Sequence, residues 1–317
     1  VVNEQYGKQV IETLAQIYSQ LFIKPGPDSE EVYRDVVGNG KIVEDGDLSH
    51  FTCSENDSLS YVETPAGDVC VITLNEREDF ETFIRIMAKK CRMDDIPANQ
   101  GAYILDGVIN WRKIYAHQAE FLAQSYKEGT TEPDWDAEFE RFTSDRNNYK
   151  DVLIVLSAGP YSNIPASKLG FEEEAWLDHS YIIRKYHECT HFICRKKYPD
   201  KIDAIWDELV ADAVGIYAAF GEYDADMEKV FLGIGDDGYI GGRLENYVND
   251  NSVVVRAAGL LPESELVGEA EKKERLDKLS YKINDMLEEI TNIARDNTGI
   301  PPFEFALLLE EQYDRLT

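Results

Sequence analysis

The hydrophobic period of this chain changes once along its length, and that change bounds the fold. Ahead of residue 158, short β-rich runs mix with helical stripes, whereas beyond Ser167 apolar residues recur every three to four positions almost without a break. Strands first and helices afterwards, with no regular alternation, predict an α+β protein with a strand-rich N-terminal part and a mostly helical C-terminal part. Val10, Leu14, Ile17, Tyr18 and Leu21 make a helical stripe over 1–22, stopped by Lys24-Pro25-Gly26-Pro27. Over 31–74, short runs between turns such as Gly38-Asn39-Gly40, Asp45-Gly46-Asp47 and Pro65-Ala66-Gly67-Asp68 predict an antiparallel meander. Helices are expected at 78–91 and 111–126, and a strand at 102–109. The polar stretch 130–148, with Glu132-Pro133-Asp134, reads as a linker, which divides the chain into 1–148 and 149–317. A further strand follows at 152–157, and then helices at 171–198, 201–220, 225–232, 242–248, 253–260, 263–296 and 302–316.

Charge excludes some partners. Against 32 Lys and Arg stand 61 Asp and Glu, and a net charge of -29 repels phosphate backbones and anionic lipid, so neither nucleic acid nor a membrane is an expected partner. No apolar run approaches the roughly 18–20 residues of a membrane helix. The five cysteines are few and odd in number, which fits a reducing, cytoplasmic setting. Cys53 and Cys70 are the pair that a hairpin would bring face to face, and a chain that starts at Val1 leaves room for a trimmed leader.

The stretch that carries chemistry is His187-Glu188-Cys189-Thr190-His191, an HExxH pattern. Residues four apart lie on one face of a helix, so two imidazoles converge on one cation, and a glutamate one residue on reaches a water held there. Trp176, Ile182, Ile183, Tyr186, Ile193 and Cys194 support the helix, and Pro199 ends it. A catalytic zinc takes three protein ligands, so a third is required. The next helix offers Glu208 and Asp212 one turn apart, flanking a stripe of Ile205, Trp206, Leu209, Val210 and Val214, where an unpaired carboxylate is costly. Asp207 is a rival to Glu208.

His187-Glu188-x-x-His191 followed by Glu208-x-x-x-Asp212 resembles the gluzincin zinc metallopeptidases, the thermolysin-like group. The resemblance implies a bilobal zincin-like fold, one zinc ion held by His187, His191 and Glu208, Asp212 orienting a ligand histidine, and a peptide or protein substrate. It also implies Glu188 as general base, and a sheet-edge strand ahead of the active helix, for which 152–157 with Ser157 stands in the right place. Oxyanion donors are sought in two loops: Tyr161 and Asn163, which also become candidate substrate contacts, and Tyr239, Arg243 and Tyr247, of which Arg243 and Tyr247 are favoured. The same ligands would serve a catalytically inactive, metal-stabilised binding or regulatory protein. Gly233-Ile234-Gly235-Asp236-Asp237-Gly238 spells GxGxxG, but two acids would confront a pyrophosphate and no βαβ unit surrounds it, so a turn is expected.

Overall fold

The computed structural model describes residues 4–43, 46–201, 203–248, 252–260 and 268–316. Asp45 of a predicted turn and residues 263–267 of an expected helix lie outside the described residues. The chain forms two compact units: Val1–Val62 with Val69–Ala158, and Glu63–Asp68 with Gly159–Thr317. The division follows Ala158 rather than residue 148, because the strand after the predicted linker belongs to the first unit's sheet.

That sheet contains β1 (Gln5–Tyr6), β2 (Ser58–Val62), β3 (Val69–Leu74), β4 (Ala102–Ile109) and β5 (Lys150–Ser157), in the order β1-β2-β3-β5-β4. The apolar run of β5 is explained by its position, since β3 pairs with it in parallel and β4 antiparallel. The expectation of a sheet-edge strand at 152–157 is therefore corrected: both edges of β5 are taken, and no extended substrate can add beside it. Ser157 ends this strand, buried, its N–H donating to the Gly101 carbonyl at 2.8 Å. The register of β4 slips between Asp106 and Val108, where Gly107 adopts φ +87, a conformation that glycine tolerates best.

Helices α1 (Gln9–Ile17), α2 (Ser29–Tyr33), α3 (Arg77–Met87), α4 (Trp111–Lys127) and α5 (Trp135–Thr143) complete the first unit. Two expectations fail here. The meander holds only as the hairpin β2–β3, because residues 29–38 are helical, with Glu30 and Glu31 in a first turn that favours acids. The linker is also helical: Asp134 caps α5 by accepting the Ala137 N–H at 3.1 Å, and Phe142 stacks on His117 of α4 with ring centres 4.0 Å apart. Polar residues outnumber apolar ones in that stretch, which hid Trp135, Phe139 and Phe142 as its inward side.

The second unit is helical: α6 (Ala166–Leu169), α7 (Glu173–Lys197), α8 (Ala204–Phe220), α9 (Ala225–Leu232), α10 (Val253–Ala257), α11 (Glu269–Asp296), α12 (Pro302–Glu310) and α13 (Tyr313–Leu316). Leu209, Val210 and Val214 of α8 are buried with Leu279, Ile283 and Leu287 of α11 and Phe305 of α12 in one core. The glycine-rich stretch forms a two-residue hairpin of β6 (Ile234–Gly235) and β7 (Gly238–Tyr239), the turn expected for it. All five cysteines are free thiols. Among the described residues, no helix is long and apolar enough to cross a membrane.

Candidate metal centre

Local sequence sets the two helices that carry the centre. Helix α7 starts with Glu173 and Glu174 and ends with Arg195, Lys196 and Lys197, charges that complement its dipole at both ends. Helix α8 starts at Asp203, whose Oδ1 accepts the N–H groups of Ile205 and Trp206 at 3.1 Å each. Gly215 lets the helices approach: a Cβ there would stand 2.7 Å from the Ile183 carbonyl oxygen, closer than any side chain allows. Ile183 lies one turn before His187, so this contact controls how near the α7 histidines come to the α8 carboxylates.

His187, His191 and Glu208 converge, their ligand atoms all within 4.8 Å of one another. The two Nε2 atoms are 3.0 Å apart, His191 Nε2 is 3.4 Å from Glu208 Oε1, and His187 Nε2 is 3.7 Å from Glu208 Oε2. Both histidines are buried, and the Glu208 side chain is 19% exposed, so solvent reaches the cluster on the glutamate side. Asp207, the rival ligand, is not in the group; its buried carboxyl is pushed up to about 6, mainly by loss of water.

Behind His187 lies a layer of side chains that hold it. Asp212 is fully buried and accepts from three donors: His187 Nδ1 at 2.9 Å, the Tyr161 hydroxyl at 2.6 Å and Arg243. With its Nδ1 proton directed at Asp212, His187 presents the Nε2 lone pair to the cluster. Burial works against a charged Glu208, but the hydrogen bond from His191 and the nearby His187, His191 and Arg243 hold its carboxyl well below the usual range. Burial likewise opposes a charged His191, and the hydrogen bond and charge of Glu208, with that of Glu188, outweigh it and raise its proton affinity.

The structure brings together most of the residues singled out from the sequence. Arg243 approaches Glu208 Oε2 at 3.7 Å, and Tyr247 lies near enough that, after burial, the charge of Glu208 helps to raise its hydroxyl's proton affinity, so both favoured donors stand near Glu208. Glu188 is half-buried on α7 between the two histidines in sequence. Tyr161 is not a substrate contact: it is buried, with its hydroxyl on Asp212 and 2.8 Å from His187 Nδ1. Asn163 is exposed, and the Tyr239 hydroxyl is bonded to the backbone of Gly242. One acid was missed from the sequence. Glu228 on α9 is fully buried, accepts from the Tyr223 hydroxyl at 2.8 Å and is raised well above its usual range by burial and then by the charge of Asp212. Its signal was an acid set among the apolar Met227, Phe231 and Leu232 of α9.

The chain belongs to a family of unknown function, DUF7005, which matches it over residues 2–294. No curated protein and no solved structure matches it.

Proposed function

We propose that this chain is a zinc-dependent hydrolase of the gluzincin kind, acting on a peptide or protein substrate. One observation carries the reading: two imidazole nitrogens stand 3.0 Å apart and each faces one oxygen of the same carboxylate, His191 Nε2 at 3.4 Å from Glu208 Oε1 and His187 Nε2 at 3.7 Å from Oε2, with one ligand atom from each residue all within 4.8 Å of one another. Tetrahedral ligands with bonds of about 2.0–2.1 Å stand about 3.3 Å from one another, and these three contacts lie close to that spread. The chemistry of the donor set fits as well, with two imidazoles, one carboxylate and a buried carboxylate orienting one histidine.

What zinc supplies when bound is polarisation of a carbonyl and a water acidified to a pKa of about 7. The rest falls to the chain's own residues. Glu188, beside His187 on the helix, takes the water's proton and delivers it to the leaving amine. Tyr247 donates to the oxygen that gains charge in the transition state, and Arg243, bonded to Asp212 and Tyr161, adds positive potential from behind Glu208. A cytoplasmic location is part of this reading, supported by the five free thiols.

The test is Glu188→Gln assayed on a peptide library. The variant should keep its metal and lose turnover by about 10²–10⁴, the usual contribution of a general base. Equal rates in variant and wild type would contradict the mechanism. A zinc-loaded wild type that cleaves nothing would instead favour the metal-stabilised binding or regulatory protein.

A further inference from the structure

The segment between β5 and α6 is held far more firmly than a connector requires. The Arg184 guanidinium, itself buried, donates to the carbonyls of Gly159 and Pro160 at 3.1 and 3.2 Å. Ser180 Oγ accepts the Tyr161 N–H at 2.9 Å. The Tyr161 ring packs edge-on against Phe231 at 4.9 Å, with the guanidinium carbons of Arg243 and Arg184 at 5.4 and 5.9 Å from its centre. Immediately after it, Ser162 and Asn163 both adopt left-handed conformations, at φ 49 and 57, which non-glycine residues keep only when their surroundings impose them.

The consequence of this bracing is the placement of one hydroxyl. Tyr161 gives its proton to Asp212 Oδ1 at 2.6 Å and accepts from Arg243 Nη1 at 3.2 Å, which leaves its oxygen 2.8 Å from His187 Nδ1 as an acceptor. His187 Nδ1–H therefore has two acceptors, the carboxylate and the phenol oxygen. A single acceptor lets an imidazole tilt about one hydrogen bond, whereas two fix the plane of the ring and the direction of the Nε2 lone pair.

We propose that Tyr161 is a positioning residue of the metal centre, aligning His187 through Nδ1, and that the braced loop 159–163 exists to deliver it. This rests on the metal-centre reading above. The experiment compares wild type, Tyr161→Phe and Ser180→Ala, each stripped and titrated with Zn²⁺ and with Co²⁺, whose visible absorption reports ligand geometry. Tyr161→Phe keeps the ring packing and should bind Zn²⁺ about 10–100-fold more weakly, with an altered Co²⁺ spectrum and an unchanged far-ultraviolet circular dichroism. Ser180→Ala, which frees the backbone of Tyr161, should shift both readouts in the same direction by less. Wild-type affinity and an unaltered Co²⁺ spectrum in Tyr161→Phe would overturn the proposal while leaving the metal centre intact. A wild type that binds neither ion would overturn both.

Discussion

Two pairs of carboxylates, one pair in each unit, differ in what faces them. In the sheet unit, Asp79 is all but inaccessible and accepts the backbone N–H groups of Thr52 and Cys53 at 2.8 Å each, while Asp57 accepts the Asn75 N–H at 2.8 Å. These acids hold turns, and Asp79 steadies Cys53 at φ 62. In the helical unit, Glu208 and Asp212 face imidazoles, a phenol and a guanidinium. A carboxylate that satisfies backbone donors serves the fold, whereas side chains that converge on one another from separate elements cost entropy to assemble and mark a site.

That contrast can be broken by substitution. Asp79→Ala leaves two buried N–H groups without an acceptor, and should lower unfolding stability by about 3 kcal/mol in urea titrations while leaving metal content unchanged. Loss of metal in that variant would erase the distinction between the units. Asp212→Asn should do the reverse: by removing the charge that holds the His187 proton, it should weaken Zn²⁺ binding about 10–100-fold in competition titrations. Unchanged affinity would mean that Asp212 is only a folding residue like Asp79.

The smallest effect concerns pH and an acid that resembles neither pair. Glu310 on α12 is buried, accepts from Trp206 Nε1 at 3.0 Å and from the Cys194 thiol, and is pushed up to about 7 by burial and then by Asp207. Its proton is held more tightly in the folded than in the unfolded chain, so its contribution is full below pH 4.5 and is lost as pH rises through about 7. Glu310→Gln should therefore raise stability at pH 8 relative to wild type, by of order 1 kcal/mol, with little difference at pH 5. Thermal melts at the two values check this, and an equal shift at both would rule out ionisation as the cause.

How much was legible in the sequence follows from the range of the interactions involved. Helices α7, α8 and α9 have a strong 3.6 period, so their extents and the facing of His187, His191, Glu208 and Asp212 could be read locally. The place of β5 could not, because its parallel partner β3 lies far upstream and pairing is not written in a strand's own pattern. Helix α5 was hidden by its charged outer face. Tyr161 stands out in the sequence but its partner does not: the path of 159–163 depends on left-handed residues and on Arg184 and Ser180 reaching from another element, and no periodicity encodes such a turn.

The central claim is that the three converging side chains hold a metal ion, and it is tested most directly by elemental analysis of untagged protein purified without added metal, beside His191→Ala. The account predicts about one zinc per chain in the wild type, and loss of that zinc with a lower melting temperature in the variant. A wild type without metal, or a variant with the same zinc content, would contradict it.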